Sequence, residues 1–143
     1  MVGKFEMTPY RKYDAMVLRH IPASPPQTVR VLIVEDESML ALCLEEVLID
    51  AGFTIAGVAG KLEKALALIE GGACDAAIVD ANLAGASASP VADALASRGL
   101  PFIVTTGYPQ EELQSHFVGA PFLKKPYQPE LLIQTLNTLL QNR

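Results

Sequence analysis

Residues 29–36 read VRVLIVED. Five of the first six side chains are apolar and four of those are β-branched, which at this length marks a strand with apolar neighbours on both faces. The period then changes: Leu40, Leu44, Val47 and Ala51 fall on one helical face that stops at Gly52. Working outward, the same alternation recurs. FTIAGV (53–58) is a second strand, and Leu62, Leu66 and Ile69 mark a helix ended by Gly71-Gly72. AAIVD (76–80) is a third strand, and Ser89-Pro90 caps a helix with Val91, Ala94 and Leu95 apolar and Gly99 at its end. PFIVTTG (101–107) is a fourth strand, followed by a short, weak helix predicted over 110–116. A last strand at about 121–123 leads to Pro129, which opens a final helix with Leu132, Leu136 and Leu139 on one face. Five strands alternating with helices predict an α/β fold, a parallel sheet covered on both faces. Nothing repeats internally, and no second domain fits within 143 residues.

Composition narrows the function. Half of the residues are apolar and 19% are charged, which excludes a disordered or fibrous chain. The net charge of −5 is uneven. Up to residue 30 the chain carries Lys4, Arg11, Lys12, Arg19 and Arg30 against Glu6 and Asp14, leaving the remainder strongly acidic. That remainder repels phosphate backbones, so no direct nucleic-acid contact is expected. Residues 1–28 end in the Pro-rich IPASPPQT and read as a basic leader and linker, with residues 29–143 as the folded domain. Within the leader, Thr8-Pro9 is an N-cap and N1 pair, with Tyr10, Tyr13 and Val17 at helical spacing. Cys43 and Cys74 lie outside any metal-ligand spacing and read as small core residues. With no signal peptide and no apolar run of membrane-spanning length, the expected location is the cytoplasm, without membrane contact. His20 and His116 are too isolated to propose as ligands or bases.

Ligands of an open parallel sheet bind beyond the carboxyl ends of the strands. Glu35 and Asp36 follow the first strand, Asp80 the third, Thr106 the fourth and Lys125 the fifth. Crowded carboxylates repel one another and raise each other's pKa unless a cation neutralises them, and oxygen ligands of this kind suit Mg²⁺. Lys125 supplies a fixed positive charge able to pair with Asp80 and with a phosphoryl oxygen.

The ordered motifs VLIVEDE, AAIVDANL, VTTGY and FLKKP resemble the receiver domain of two-component response regulators, over roughly residues 29–140. The VTTGYP stretch is similar to a single-domain subgroup of α-proteobacteria marked by a Phe-Ala-Thr-Gly-Tyr-like motif. The resemblance implies a doubly wound, flavodoxin-like sheet of order 2-1-3-4-5 with a short or irregular fourth helix. It makes Asp80 the phosphoacceptor and assigns Mg²⁺ to Glu35, Asp36, Asp80 and the backbone carbonyl of Asn82. It makes Thr106 and Phe122 the switch residues and Lys125 the phosphoryl-contacting lysine, with Gly107 leaving room for the group. Asn82 and Tyr108 flank the site and would tune hydrolysis of the acyl phosphate. The implied partners are a histidine kinase or histidine phosphotransfer protein and a downstream protein that the sequence does not identify. If the chain is complete, it is expected to be a relay, a phosphate sink or an allosteric partner; the alternative is a fragment of a longer regulator. The chain catalyses only its own phosphorylation and dephosphorylation in this reading. Two others compete. An Asp-nucleophile phosphatase needs a second acid two residues on, where Asn82 stands. A pseudo-receiver would bind partners without phosphorylation, against which stands the joint presence of Glu35, Asp36, Asp80, Thr106 and Lys125. Singly, each of these has a plainer reading, Glu35 and Asp36 as helix-capping acids above all.

Overall fold

The computed structural model describes residues 28–107, 117 and 119–142. Residues 1–27 of the leader, the helix predicted over 110–116, Tyr108, His20 and His116 lie outside the described residues. In chain order the elements are β1 (Arg30–Val34), α1 (Ser38–Asp50), β2 (Thr54–Ala59), α2 (Leu62–Glu70), β3 (Ala76–Asp80), β4 (Asn82–Leu83) and β5 (Ala86–Ser87). They continue with α3 (Ser89–Ser97), β6 (Phe102–Thr106), β7 (Phe122–Lys124) and α4 (Pro129–Gln141).

Five strands form one parallel sheet in the order β2-β1-β3-β6-β7, the predicted topology once the β4–β5 hairpin is set aside. β1 lies inside the sheet, between β2 and β3, and Val31–Val34 are all buried. Successive side chains of a strand point to opposite faces. Leu32 and Val34 join Ala77, Val79 and Val104 in a core under α2 and α3, with Ile69, Val91 and Leu95. Val31 and Ile33 join Ala76, Ile78 and Ile103 in a second core under α1 and α4, with Leu44, Leu48, Leu132 and Leu136. Burying each such Leu or Ile contributes about 1.5–3 kcal/mol.

Three local expectations are corrected. The inward face of α1 is Ala41, Leu44 and Leu48, while Leu40 and Ala51 are exposed, because nearly every position from Met39 to Leu44 is apolar and periodicity alone does not choose among them. Cys43 is exposed and only Cys74 belongs to the core. The N-cap of α3 is Ala88, with Ser89 and Pro90 already helical; the local side-chain bond comes from Ser87, whose Oγ accepts the Ser89 N–H at 3.1 Å.

An unpredicted feature follows Asp80 directly. Asn82–Leu83 and Ala86–Ser87 pair antiparallel around a two-residue turn, with φ of 51° at Ala84 and 87° at Gly85. Two positive φ values are the signature of a type I′ hairpin. Gly85 takes that conformation freely, whereas Ala84 does so against its Cβ. The Asn82 side chain compensates by accepting the Gly85 N–H on Oδ1 at 2.9 Å.

Candidate functional site

Parallel strands end together, so the turns after β1, β3, β6 and β7 meet at one rim. Glu35 continues β1, its N–H donating to the Ala59 carbonyl at 3.0 Å. Asp80 ends β3, Thr106 ends β6, and the Lys125 N–H donates to the Thr106 carbonyl at 2.7 Å. These backbone bonds bring residues separated by up to 90 positions to one place.

Lys125 is the centre of the cluster. Its Nζ donates to Glu35 Oε1 and to Asp80 Oδ2, each at 3.1 Å. The pairing with Asp80 was expected; the second arm, to Glu35, was not. Asp80 Oδ1 accepts the Asn82 N–H at 3.2 Å, folding the start of the hairpin back on the carboxylate. Glu35 Oε2 accepts the N–H of Glu37, the N-cap residue of α1, at 3.1 Å, while α1 itself has no side-chain cap. Glu35, Asp80 and Thr106 are buried and Asp36 is exposed.

The electrostatics follow from this packing. Burial pushes the Glu35 carboxyl up; the hydrogen bonds from Glu37 and Lys125 pull it down, but with the Asp80 charge added the net direction is upward. Burial pulls the Lys125 ammonium down, yet the hydrogen bonds to Glu35 and Asp80 and their charges outweigh it, and its pKa rises. Glu35, Asp36 and Asp80 each offer a carboxylate oxygen within 4.8 Å of the others. Three carboxylates facing one ammonium leave two negative charges uncompensated. The donor set is all oxygen and hard, and its residual charge is that of one divalent cation, so these residues fit Mg²⁺.

Two further residues singled out in the sequence lie on or just after the strands that lead to this rim. Phe122 opens β7, partly buried, and meets Phe117 edge to face at a centroid distance of 6.2 Å. Among the described residues, a side-chain carbon at Gly107 would touch nothing within 4 Å. Sequence reasoning passed over Gly60, where an added Cβ would lie 3.5 Å from the Asp36 Cα, against the backbone of the acidic pair. Gly60 carries no motif of its own, and only the approach of β2 to β1 reveals it. Among the described residues no helix is long and apolar enough to cross a membrane.

Comparison with known proteins agrees with this geometry. Residues 31–137 match the family model of the response regulator receiver domain. The chain is 32% identical over 111 residues to the transcriptional regulatory protein PdtaR of Mycobacterium tuberculosis, covering 75% of this chain and 54% of that protein. It therefore spans about half the length of the curated relatives it matches. Among solved structures it resembles SdrG from Sphingomonas melonis Fr1, at 39% identity and a TM-score of 0.70, covering 79% of this chain and 97% of that one. It likewise resembles the receiver domain of the PhyR response regulator from Erythrobacter litoralis, at 28% identity and a TM-score of 0.70, covering 80% and 91%. The sheet order, the rim of acids and these matches lead to one conclusion: the chain belongs to the response regulator receiver domain family.

Proposed function

We propose that residues 29–143 form a phosphoacceptor receiver, with residues 1–28 as its leader and linker, that takes a phosphoryl group on Asp80 from a histidine kinase or histidine phosphotransfer protein and signals by protein contact. The observation that carries this reading is the Lys125 ammonium bridging Asp80 and Glu35 within a three-carboxylate rim. Glu35, Asp36, Asp80 and the backbone carbonyl of Asn82 would hold Mg²⁺, which when bound neutralises phosphoryl oxygens.

The transfer is an in-line displacement in which positioning and charge neutralisation do most of the work. An Asp80 carboxylate oxygen attacks the phosphorus, the O–P bond forms as the P–N bond to the donor imidazole breaks, and the imidazole nitrogen takes up a proton. Lys125 holds the carboxylate in place beforehand and afterwards faces a dianion instead of a monoanion. Thr106, at the end of β6, donates its hydroxyl to the phosphoryl group, and Phe122 repacks with that movement. Asn82 and Tyr108 set how readily water reaches the acyl phosphate.

The test is incubation of the chain with a small acyl phosphate and Mg²⁺, read by intact-protein mass spectrometry. The wild type gains one phosphoryl group and Asp80→Asn gains none. If the wild type gains no mass and beryllofluoride leaves its spectrum unchanged, the domain is a receiver fold that binds partners without phosphorylation, and the reading is wrong.

A further inference from the structure

α1 carries more apolar surface than the sheet uses. Met39, Leu42 and Ile49 point away from the core, 67%, 49% and 57% exposed. Between α1 and α4 lies a groove of about 450 Å³ lined by Leu40, Cys43, Val47, Tyr127 and Leu132, with Lys125 also in its wall. A wider hollow of about 670 Å³ continues past Val47 and Pro129 to Ile133, Asn137 and Gln141. Sharing Val47 and Pro129, the two form one trough along the helix pair. Its surroundings are acidic: Asp50 and Glu130 line the lower part, and α1 also carries Glu45 and Glu46. Among the described residues none of these four acids is in an ion pair.

The chain joins the domain at the foot of this trough. Val29 packs in the same core as Val47, Phe53, Ile133 and Leu140, and its carbonyl accepts the Thr54 N–H at 3.0 Å, beside the carboxyl end of α1. What precedes it is complementary in charge and kind. Residues 1–27 carry Lys4, Arg11, Lys12 and Arg19 against Glu6 and Asp14, with Tyr10, Tyr13 and Val17 at helical spacing. The nine residues 20–28 that precede Val29, most of them the Pro-rich IPASPPQT, reach about 28 Å when extended. The thirteen residues of α1 are about 20 Å long, so the spacer is long enough to span the trough from its foot to Lys125.

We infer that residues 10–19 dock into the α1–α4 trough of their own chain, with Tyr13 and Val17 in the groove and Arg11, Lys12 and Arg19 against its acids. A second copy is a worse occupant, because it brings the same acids to the same rim. A short tether supplies an effective concentration on the order of a millimolar. A contact with a Kd of about 0.1 mM is then made about nine-tenths of the time.

Cys43 lines the groove and is exposed, while Cys74 is buried, so maleimide labelling of the native full-length chain, located by peptide mass spectrometry, reports occupancy. Two leader variants are compared with wild type: Tyr13→Ser with Val17→Ser, and Arg11→Glu with Lys12→Glu. Each labels at Cys43 about tenfold faster than wild type, which is what emptying a groove filled nine-tenths of the time yields. About 1 M salt, which shrinks the screening length to about 3 Å, moves wild type towards the variants. Thermal melts that superimpose confirm that the fold is intact. Equal labelling of wild type and both variants overturns the inference. So does protection that grows with protein concentration alongside a doubled mass in light scattering, which assigns the trough to a second copy. Protection that arises only when a separate protein is added overturns it as well.

Discussion

Replacing Lys125 by methionine keeps the aliphatic stem and deletes the charge 3.1 Å from both Glu35 Oε1 and Asp80 Oδ2. What remains is a pair of carboxylates whose side chains are 3% and 10% exposed, with oxygens that approach within 4.8 Å. Two unit charges at that separation repel by about 3.5 kcal/mol at an effective dielectric constant of about 20. The lysine is itself 24% exposed, so water already takes up part of the imbalance. The expected loss at pH 7 is therefore about 2–3 kcal/mol, below the roughly 3–5 kcal/mol of a fully buried broken pair. The pH dependence follows from Glu35, whose carboxyl is raised by burial. An acid with a raised folded-state pKa favours the fold most when protonated, below its unfolded value, and loses that contribution as pH climbs through the folded one. Removing Lys125 takes away a group that opposes this rise, so the penalty is largest near neutrality and shrinks as falling pH protonates Glu35. Mg²⁺ at about a hundred times its Kd returns up to about 2.7 kcal/mol. Urea unfolding of both chains, followed by circular dichroism at pH 7 and pH 5 with and without Mg²⁺, measures all of this. Coincident midpoints at pH 7, or a gap of equal size at both pH values, would refute the charge balance described for the pocket.

The same physics sets three further expectations. Glu35→Gln removes a carboxyl whose ionisation burial disfavours, so in metal-free buffer at pH 7 the variant unfolds at a urea concentration no lower than wild type, while its stabilisation by Mg²⁺ is lost. Ala84→Gly relieves a positive φ in the hairpin turn and stabilises the chain by about 0.5–1 kcal/mol, read from the same midpoints; a lower midpoint would mean the turn is not type I′. Phe117 is 3% exposed and packs edge-on against Phe122, so Phe117→Ala lowers stability by about 3–4 kcal/mol, whereas Phe117→Leu costs less than half of that.

The sheet was legible because its interior strands are saturated with apolar residues: VLIV in β1 and AAIV in β3 admit few other readings, and Gly52, Gly72 and Gly99 mark the helix ends with positive φ. The acids and Lys125 were legible because strand ends are where a parallel sheet presents chemistry. Weaker signals hid the rest. The β4–β5 hairpin has strands of two residues and an Ala-Gly turn in place of Asn-Gly, too little pattern to separate from a loop. The inward face of α1 was obscured because apolar residues surround the helix, and the face left over is the one that lines the trough. The second arm of Lys125 had no sequence signal, since it depends on how far the lysine side chain reaches from the end of β7 towards the end of β1.

Lys125 belongs to two places at once, the acidic pocket and the wall of the α1–α4 groove. A side chain held in common makes its two sites thermodynamic neighbours. If an occupant of the groove changes the affinity of the pocket for its occupant by some factor, the occupant of the pocket changes the affinity of the groove by the same factor, in the same sense. Such a coupling would need no relay across the sheet, only the one side chain that both places share. A domain built this way would carry the state of its pocket to a second face through a single residue.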